Sequence, residues 1–416
     1  MVRQHGAATQ ERPTHPAIPP TPPAGTRVAL IHDYLNQSGG AERVLEELHT
    51  LWPDAPIFTS IYDRAGMPPA YRDWPIRTTF MQGLPRIMRH HQPYLPLYPV
   101  AFARLDLRGY DLIVSSSSAF AKNIVPPPGA LHVCYCHSPM RFAWSAADYA
   151  RRERLNPATR AALAPVLRAL QRWDVRGTRR VDRLIANSAV VADRIRRFYG
   201  RDATVIHPPV RTDIAPAVGA PDDFYLVLTR LVPYKRLDIV VEAFNRLGLP
   251  LRIAGSGRDR AALEALAGPN ITFLGAVSEA EKDRLYAACR ATIFPAEDDF
   301  GIAQVEAQAA GRPVLALRAG GALETVRDGV TGVFFDEQTP EAIVAAVRRR
   351  EALAFDPDAI RAHARRFDAA VFRRAIASFV AEAYGAVGSR QLGTRARQTP
   401  CHSELLSADC RLPTAD

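Results

Sequence analysis

Two cations that follow one predicted strand are suited to binding phosphate. Residues 225–229 form a short apolar run, Arg230 follows it directly, and Lys235 lies five residues further on, just before a helical pattern that begins at residue 237. Cations oppose the dipole at a helix N-terminus, so they add nothing to helix stability there. The N–H groups at that end bind anions, and the cations strengthen the field. The spacing predicts a diphosphate site; a solvated pair at a helix start is the alternative.

Carboxylates at the start of another helix are suited to binding sugar hydroxyls. The predicted strand 291–294 leads into the acidic run 297–299, and Gly301 then begins a helix that carries Glu306. Asp298 and Glu306 are expected to face one cleft, where carboxylates accept hydrogen bonds from ribose or hexose. The alternatives are a capping cluster, an acid favoured by the helix dipole, and a divalent metal site. No further acidic cluster accompanies them, so we expect no metal.

Glycines follow several predicted strands, at points where a ligand or another backbone segment approaches closely. They are Gly255 and Gly257 after residues 251–254, Gly320 and Gly321 after residues 314–316, and Gly39 and Gly40 after residues 27–32. The last pair opens a helix whose free N–H groups could receive phosphate or sugar oxygens. A tight turn explains Gly255 and Gly257 equally well. The standard dinucleotide fingerprint is missing, so nothing predicts NAD.

One histidine lies at the end of a predicted strand. His137 follows residues 133–136 directly, at the strand end where ligands of α/β proteins bind. A lone histidine is more often structural, but this position makes contact with a ligand an equally good interpretation.

The elements that position these residues alternate between strand and helix along the whole chain. Such alternation is typical of parallel sheets covered on both faces by helices, with ligands beyond the carboxyl ends of the strands. Pro208 and Pro209 interrupt the alternation, which then begins afresh at residue 225. The predicted fold class is therefore α/β, with two Rossmann-like, doubly wound parallel-sheet domains in tandem.

Composition agrees with two cores. The chain has 416 residues, 47% of them hydrophobic, and a formal net charge of +10. That length suits two domains of roughly 150–200 residues. The positive charge favours anionic partners, and ordinary solvated arginines are an equally good interpretation. The chain has five cysteines that match no zinc pattern: Cys134, Cys136, Cys289, Cys401 and Cys410. Cys134 and Cys136 are expected to be buried, reduced thiols.

The sequence pattern predicts neither a membrane helix nor a secretory signal. No run reaches the roughly 18 apolar residues of a membrane helix, and the N-terminus has no apolar signal region. We expect a cytoplasmic protein. Residues 74–107 mix basic with aromatic and apolar side chains, which predicts peripheral contact with the anionic inner face of the plasma membrane. An ordinary packing element or acceptor lid is the favoured alternative. The mixed residues are Arg77, Arg86, Arg89, His90 and His91 with Trp74, Phe80, Met81, Tyr94, Leu95, Leu97 and Tyr98.

Taken in order, these motifs resemble the retaining glycosyltransferases of family 4, which have the GT-B fold. The resemblance covers residues 27–384. It is carried by Thr229-Arg230-Leu231 with Lys235, by Gly255 and Gly257, by the acidic-x7-Glu segment ending at Glu306, by Gly39-Gly40-Ala41-Glu42, and by Ile185-Ala186-Asn187-Ser188. Cys136-His137-Ser138-Pro139-Met140-Arg141 with Trp144 resembles the "YCHTPMRYAW" signature of bacterial mannosyltransferases of surface-polysaccharide and O-antigen assembly.

The resemblance implies a role for each motif. Arg230 and Lys235 hold the donor diphosphate, and Glu306 binds the ribose. Asp298 binds hydroxyls of the transferred sugar, together with N–H groups near Gly301, Ile302 and Ala303. Gly255 and Gly257 belong to the donor site. Gly39 and Gly40 lie by the phosphates and the acceptor, and His137 contacts the sugar or the acceptor. The family usually has Glu at the first acidic position. Here Asp298 stands there with Glu297 before it, so either carboxylate is a candidate.

Composition and the interruption at Pro208 and Pro209 also predict domain bounds, and the resemblance implies that the last helix crosses back to the first domain. The predicted parts are a disordered tail at 1–26, an N-terminal acceptor domain at 27–208, a C-terminal nucleotide-sugar domain at 209–366, a helix crossing back to the first domain at 367–388, and a second disordered tail at 389–416.

The resemblance implies metal-independent transfer of a hexose, with retention by front-face attack. The donor is expected to be GDP-mannose, the acceptor a glycan or a polyprenyl-linked glycan, and no cofactor is needed. The alternatives are a non-catalytic nucleotide-sugar binder, which Asp298 in place of Glu permits, and an epimerase or phosphorylase of the same architecture. A nucleic-acid partner is not expected, because acidic residues at the cleft repel the phosphates of a long strand.

Overall fold

A computed structural model describes residues 25–88, 90, 92–144, 156–215 and 221–396, with side chains omitted for residues 92 and 387–396. Most of the two expected tails, residues 1–24 and 397–416, lies outside the described residues, as do Arg89, His91, Cys401 and Cys410.

The first sheet is wholly parallel. Its strands are β1 (Val28–His32), β2 (Ile57–Thr59), β3 (Ile76–Thr78), β4 (Leu112–Ser117), β5 (Leu131–Cys136), β6 (Arg183–Ala186) and β7 (Thr204–Val205). They pair in the order β3-β2-β1-β4-β5-β6-β7. Every residue of β4 and β5 is buried, as expected of central strands covered on both faces.

The second sheet repeats this plan. Its strands are β8 (Tyr225–Leu228), β9 (Leu251–Ala254), β10 (Ile271–Gly275), β11 (Thr292–Phe294), β12 (Val314–Leu317) and β13 (Gly332–Phe335). They pair in parallel in the order β10-β9-β8-β11-β12-β13. The predicted fold class, with two doubly wound parallel sheets in tandem, is confirmed.

Helices cover both faces of each sheet. In the part of the chain that the structure describes they are α1 (Gly40–Leu51), α2 (Tyr98–Ala103), α3 (Arg141–Trp144), α4 (Pro157–Thr178), α5 (Ala189–Tyr199), α6 (Leu237–Leu247), α7 (Arg260–Leu266), α8 (Glu279–Ala288), α9 (Ile302–Ala309), α10 (Ala322–Thr325), α11 (Pro340–Glu351), α12 (Pro357–Ala364) and α13 (Ala369–Ala396).

Local sequence signals account for several helix starts. The Ser278 hydroxyl accepts the Glu281 N–H at 3.2 Å, and the Thr339 hydroxyl accepts the Ala342 N–H at 3.2 Å beside a proline at the first helical position. A free side-chain acceptor here satisfies an N–H group that has no partner within the helix. Each of these helices therefore begins at a residue whose side chain caps it.

The last helix packs on the first sheet. Phe372, Ile376 and Val380 of α13 are buried in the same apolar cluster as Leu30 of β1 and Val44 of α1. Arg373 also forms an ion pair with Glu47 of α1. The C-terminal end of the chain thus ties the first domain to the second.

The helix α13 continues to Ala396, so the expectation of a disordered tail from residue 389 is wrong for residues 389–396. These residues lack an apolar period, but Ala, Arg, Gln and Leu are good helix formers and no proline interrupts them. A helix already nucleated extends at little cost.

Residues 74–107 form a packing layer. Met81, Ile87, Tyr98 and Phe102 are buried in one apolar cluster with the first sheet, and the Tyr98 and Phe120 rings stack with their centroids 4.2 Å apart. Strand β3 and helix α2 in this segment escaped the sequence analysis, because each is too short to show a period.

Cys134 and Cys136 are buried free thiols as expected, and Cys289 is another. Among the described residues, no helix is long and apolar enough to cross a bilayer.

Candidate functional site

Each sheet has a point where the strand order changes direction. In the first sheet β1 lies between β2 and β4, and in the second β8 lies between β9 and β11. Adjacent loops leave such a pair of strands toward opposite faces and open a crevice at their carboxyl ends, where α/β proteins bind ligands. The loops after β8 and β11 carry Arg230, Lys235 and Asp298, so three predicted site residues flank one crevice.

The two loops of the second sheet meet through an ion pair. The Lys235 ammonium lies 2.5 Å from Asp298 Oδ1, and both side chains are largely buried. Arg230 donates to the Tyr234 hydroxyl at 2.8 Å and lines a cavity whose other walls come from the first domain. The structure therefore brings Lys235 and Asp298 together, while Arg230 faces across the crevice.

The neighbours of Asp298 bind arginines of the first domain. Asp299 pairs with Arg141 and Arg194, and Glu297 lies 3.1 Å from the Arg194 guanidinium. Burial acts to raise the pKa of Asp299, but the two arginines outweigh it and hold the pKa below its usual range. No side chain caps α9, which begins after Gly301 in a left-handed conformation, so the capping alternative for the acidic run is wrong.

Glu306 is buried on the first turns of α9, with 3% of its surface exposed. It pairs with Arg43 of α1 and lies 3.2 Å from the Lys282 ammonium, which also lies 2.6 Å from Glu279. The sequence did not predict Arg43 and Lys282 as site residues. Neither stands in a motif or directly after a strand, so their position relative to Glu306 is a consequence of the fold alone.

Ile302 and Ala303 begin α9, and their N–H groups have no acceptor within the helix. A Cβ atom on Gly40 would lie 2.8 Å from Ile302 Cδ1, so the glycine that opens α1 and the start of α9 are in close contact across the cleft.

Gly255 and Gly257 pack against protein backbone. A Cβ atom on Gly255 would lie 1.9 Å from the Thr229 carbonyl oxygen, and one on Gly257 would lie 2.0 Å from that of Leu231. The loop after β9 therefore supports the loop that carries Arg230. This close approach explains both glycines without a ligand, as the tight-turn alternative allowed. Gly320 and Gly321 pack similarly, against Asp298 and Phe300.

A cavity of about 340 Å³ lies between the domains. It is lined by His32, Asp33, Tyr34, Gln37, Ser38, Gly39, Gly40, Ala41, Glu42, Ser118 and Arg230. Its lining of hydroxyl, amide and carboxylate groups suits a polar, hydroxylated ligand. Gly39 and Gly40 therefore lie at the N-terminus of α1, in the wall of this cavity.

Asp33 shapes this cavity. Its carboxylate accepts hydrogen bonds from the N–H groups of Ser118, Ala119, Phe120 and Ala121, at 2.5–2.9 Å. Four charge-assisted bonds from one loop hold the ends of β1 and β4 together. Asp33 was not singled out from the sequence, although its position directly after β1 was a usable signal.

His137 lies half-buried at the end of β5. Its Nε2 atom is 2.8 Å from the Ser116 hydroxyl, which is 3.1 Å from Nδ1 of His32. Burial lowers the pKa of His137 to about 3, and the neighbouring His32 acts in the same direction. His137 is therefore a neutral imidazole at physiological pH.

Within the described ranges, no three His, Cys, Asp or Glu side chains are grouped so as to hold a metal ion. The site carboxylates face cations of the protein: Asp298 faces Lys235, and Glu306 faces Arg43 and Lys282.

Two family models match consecutive parts of the chain. "Glycosyltransferase Family 4" matches residues 38–214, and "Glycosyl transferases group 1" matches residues 212–366. Together they cover the second sheet and all strands of the first sheet except β1.

Curated relatives match over part of their length. The D-inositol 3-phosphate glycosyltransferase of Geodermatophilus obscurus is 30% identical over 260 residues, which is 53% of this chain and 56% of the relative. The protein of the same name from Mycobacterium bovis is 33% identical over 177 residues, 36% of this chain and 37% of that relative. The chain thus spans about half or less of these relatives.

Solved structures share the fold over nearly their whole length. Anabaena HepE in complex with UDP and glucose has a TM-score of 0.62 at 19% identity, covering 85% of this chain and 99% of that one. Sucrose-phosphate synthase from Thermosynechococcus elongatus has a TM-score of 0.61 at 19% identity, covering 91% and 100%. The two-domain arrangement is the GT-B fold.

Proposed function

Since the two domains of this chain match those of the GT4-type glycosyltransferases, we propose that the protein transfers a hexose from a nucleotide-diphosphate sugar to a glycan or lipid-linked acceptor. The observation that supports it best is the convergence of Lys235, Asp298 and the first N–H groups of α9 on the crevice of the second sheet, opposite the polar cavity of the first.

Departure of a nucleotide diphosphate builds negative charge on its phosphates and positive charge on the sugar ring. Fixed cations and N–H groups stabilise the phosphate charge best in a closed, water-poor cleft. Lys235 and Arg230 supply the cations, and the N–H groups of Ile302 and Ala303 are free to bind an anion or a hydroxyl. In this proposal Asp298 binds the transferred sugar, Glu306 binds the ribose, and the reaction retains configuration without a metal ion.

GDP-mannose is the proposed donor. Its support is the likeness of residues 136–141 to the signature of bacterial mannosyltransferases, which also favours an acceptor of surface-polysaccharide assembly, such as a polyprenyl-linked glycan. A UDP-sugar is the competing donor, because the related HepE structures contain UDP, glucose or UDP-glucose.

Nucleotide binding tests the proposal directly. Thermal unfolding is measured with GDP, UDP and ADP and their sugar conjugates, with EDTA present. We expect GDP and GDP-mannose to raise the melting temperature, because a ligand bound to the native state alone stabilises it. Glu306→Ala should lose this response, while the control Glu264→Ala, an exposed acid on α7, should keep it. A response to UDP alone would indicate a UDP-sugar as the donor in place of GDP-mannose. No response to any nucleotide would contradict the donor site.

Transfer distinguishes the proposal from a binder or an epimerase. The donor that binds is incubated with and without a polyprenyl-linked glycan, and products are followed by mass spectrometry. The proposal expects release of the nucleoside diphosphate that depends on the acceptor. Donor turnover without acceptor indicates an epimerase or phosphorylase, and binding without turnover indicates a binding protein.

A peripheral membrane contact is proposed for the outer side of residues 74–107. Its support is that two apolar side chains of this segment, Phe80 and Val100, are 48% and 41% exposed and that Arg77 of the same segment is also exposed. Flotation with vesicles containing anionic lipid should carry wild-type protein but carry less Phe80→Ser/Val100→Ser. No flotation of wild type contradicts the contact.

A further inference from the structure

A buried hydrogen-bond chain connects the first turn of α1 with His137. Glu42 Oε1 lies 3.4 Å from His32 Nε2, His32 Nδ1 lies 3.1 Å from the Ser116 hydroxyl, and that hydroxyl lies 2.8 Å from His137 Nε2. Glu42, His32 and Ser116 are 3%, 2% and 0% exposed, so water does not compete for these bonds. This hydrogen-bond chain joins the ends of β1, β4 and β5. Its two inner residues, His32 and Ser116, are not among the residues assigned to the donor site.

The chemistry of the groups gives the chain a direction. A carboxylate accepts hydrogen bonds only, so Nε2 of His32 carries the proton that faces Glu42. The hydrogen-bond chain has one direction when Nδ1 of His32 carries no proton. Nδ1 of His32 is then an acceptor for the Ser116 O–H. The oxygen of Ser116 has used its one proton and accepts from His137, whose Nε2 must carry a hydrogen.

The other ring nitrogen of His137 points away from this chain. Nδ1 makes no hydrogen bond within the described part of the protein, and it is not among the buried polar atoms that lack a partner, so it is open to solvent. It belongs to a strand end that faces the cleft, and Asp299 of the second domain is near enough to act on the charge of His137. An unprotonated Nδ1 there accepts a hydrogen bond from a ligand hydroxyl.

We propose that Glu42, His32 and Ser116 are positioning residues that hold His137 as the Nε2–H tautomer, so that its Nδ1 accepts a hydrogen bond from a hydroxyl of the transferred sugar. This assignment rests on the proposed sugar transfer for its ligand, and on the hydrogen-bond geometry with an unprotonated His32 Nδ1 for the tautomer. It adds a specificity requirement, because a sugar without a donor hydroxyl at that position leaves Nδ1 unpaired.

Nuclear magnetic resonance of the full-length protein, labelled with ¹⁵N in histidine, tests the tautomer. The spectra are recorded at pH 8, and the His137→Asn variant identifies the His137 signals. We expect a protonated Nε2 and an unprotonated Nδ1 in wild type. Ser116→Ala should give a mixture of tautomers, because it removes the acceptor from His137 Nε2–H. Glu42→Gln should shift the same signals, since an amide supplies an N–H donor that permits the chain to reverse.

A matched control is available one residue away. Ser115 is equally buried on β4, but its hydroxyl lies 2.9 Å from Nε2 of a different histidine, His132. Ser115→Ala should leave the His137 signals unchanged. A wild-type Nδ1–H tautomer, or His137 signals that are the same in Ser116→Ala as in wild type, would overturn the proposal.

Kinetics separate this proposal from the proposed function. With the donor identified by thermal unfolding, Ser116→Ala should lower kcat about tenfold, the effect of one misplaced hydrogen bond, and leave the donor KM nearly unchanged. If the His137 tautomer changes in Ser116→Ala as expected but the protein transfers no sugar, the result supports the hydrogen-bond chain and contradicts the proposed function. Transfer activity with an unchanged tautomer in Ser116→Ala contradicts the chain alone.

Discussion

At the scale of single residues, the site consists of charges already paired within the protein. Lys235 pairs with Asp298, and Glu306 pairs with Arg43 and Lys282. Buried charges without a partner are costly, so an unliganded cleft satisfies its own cations and carboxylates. A nucleotide-diphosphate sugar brings both kinds of partner, phosphates for the cations and hydroxyls for the carboxylates, and can replace these contacts one for one.

The diphosphate site predicts large effects on turnover. Arg230→Ala and Lys235→Ala should each lower kcat by about 10²–10³, the range measured when one fixed group that stabilises a leaving charge is removed. Arg246→Ala is the control, because Arg246 lies at the far end of α6 and pairs with Glu341. Steady-state rates with the identified donor measure the effect, and a loss below about tenfold in both variants would contradict the assignment.

A buried histidine predicts how stability depends on pH. His132 is fully buried, and burial lowers its pKa to about 4. The folded pKa lies below the unfolded value of about 6.5, so the unfolded chain binds more protons between these values. The contribution of His132 is therefore fully present above about pH 6.5 and is lost as the pH falls toward 4.

Urea unfolding at pH 7 and pH 5 measures this contribution. We expect wild type to lose about 2 kcal/mol more than His132→Gln between the two values. His90→Gln, at an exposed histidine, should follow wild type. Equal losses in wild type and His132→Gln would show that burial of His132 has no such effect.

At the scale of elements, glycines allow the loops of the second sheet to stack. The loop after β9 touches the backbone of the loop after β8 at both Gly255 and Gly257. The loop after β8 carries Arg230 and Lys235, so the position of these two cations depends on the neighbouring loop after β9. In the first sheet, Asp33 has the same function by binding four N–H groups of the loop after β4.

This stacking predicts that a single methyl group disrupts the site. Gly257→Ala places a Cβ atom where the Leu231 carbonyl lies, and Gly255→Ala adds strain at a φ of +139°. We expect each to lower the free energy of unfolding by about 1–3 kcal/mol, as overpacking does, and to weaken nucleotide binding. Gly83→Ala is the control, because no atom lies within 4 Å of its added Cβ. Thermal unfolding with and without nucleotide measures both effects; wild-type behaviour of Gly255→Ala and Gly257→Ala would refute the stacking.

At the scale of the whole molecule, ion pairs hold the two domains closed. Asp299 binds Arg141 and Arg194, and Glu306 binds Arg43. Glu324 accepts the Ala189 N–H at 2.9 Å and lies 2.8 Å from His207 in the connection between the domains. Closure of such a cleft excludes water from the reacting groups.

These pairs predict that closure depends on Asp299. Asp299→Asn weakens the contacts with Arg141 and Arg194, so the free protein should open and its radius of gyration should rise. Small-angle X-ray scattering measures the change. The control Asp336→Asn removes a pair with Arg318 inside the second domain and should leave the radius unchanged. An unchanged radius in Asp299→Asn would mean that other contacts hold the cleft.

The sequence by itself determined much of the secondary structure and which candidate site residues follow the strand ends. Strand β9 has the predicted bounds, helix α6 begins at the predicted residue, and Arg230, Lys235 and Asp298 follow their strands as predicted. Local periodicity and capping signals depend on neighbours in the chain, so they can be read without the fold.

Only the tertiary structure decided which residues meet. Glu306 and Arg43 are 263 residues apart, and His32 and Ser116 are 84 apart. Such pairs depend on the order of strands in each sheet and on the closure of two domains. Neither property leaves a period or a motif in the sequence, because each arises from packing between distant segments. The same reason applies to Gly255 and Gly257. From the sequence, a ligand and a neighbouring backbone segment were equally good explanations for these glycines, and the fold places backbone against both.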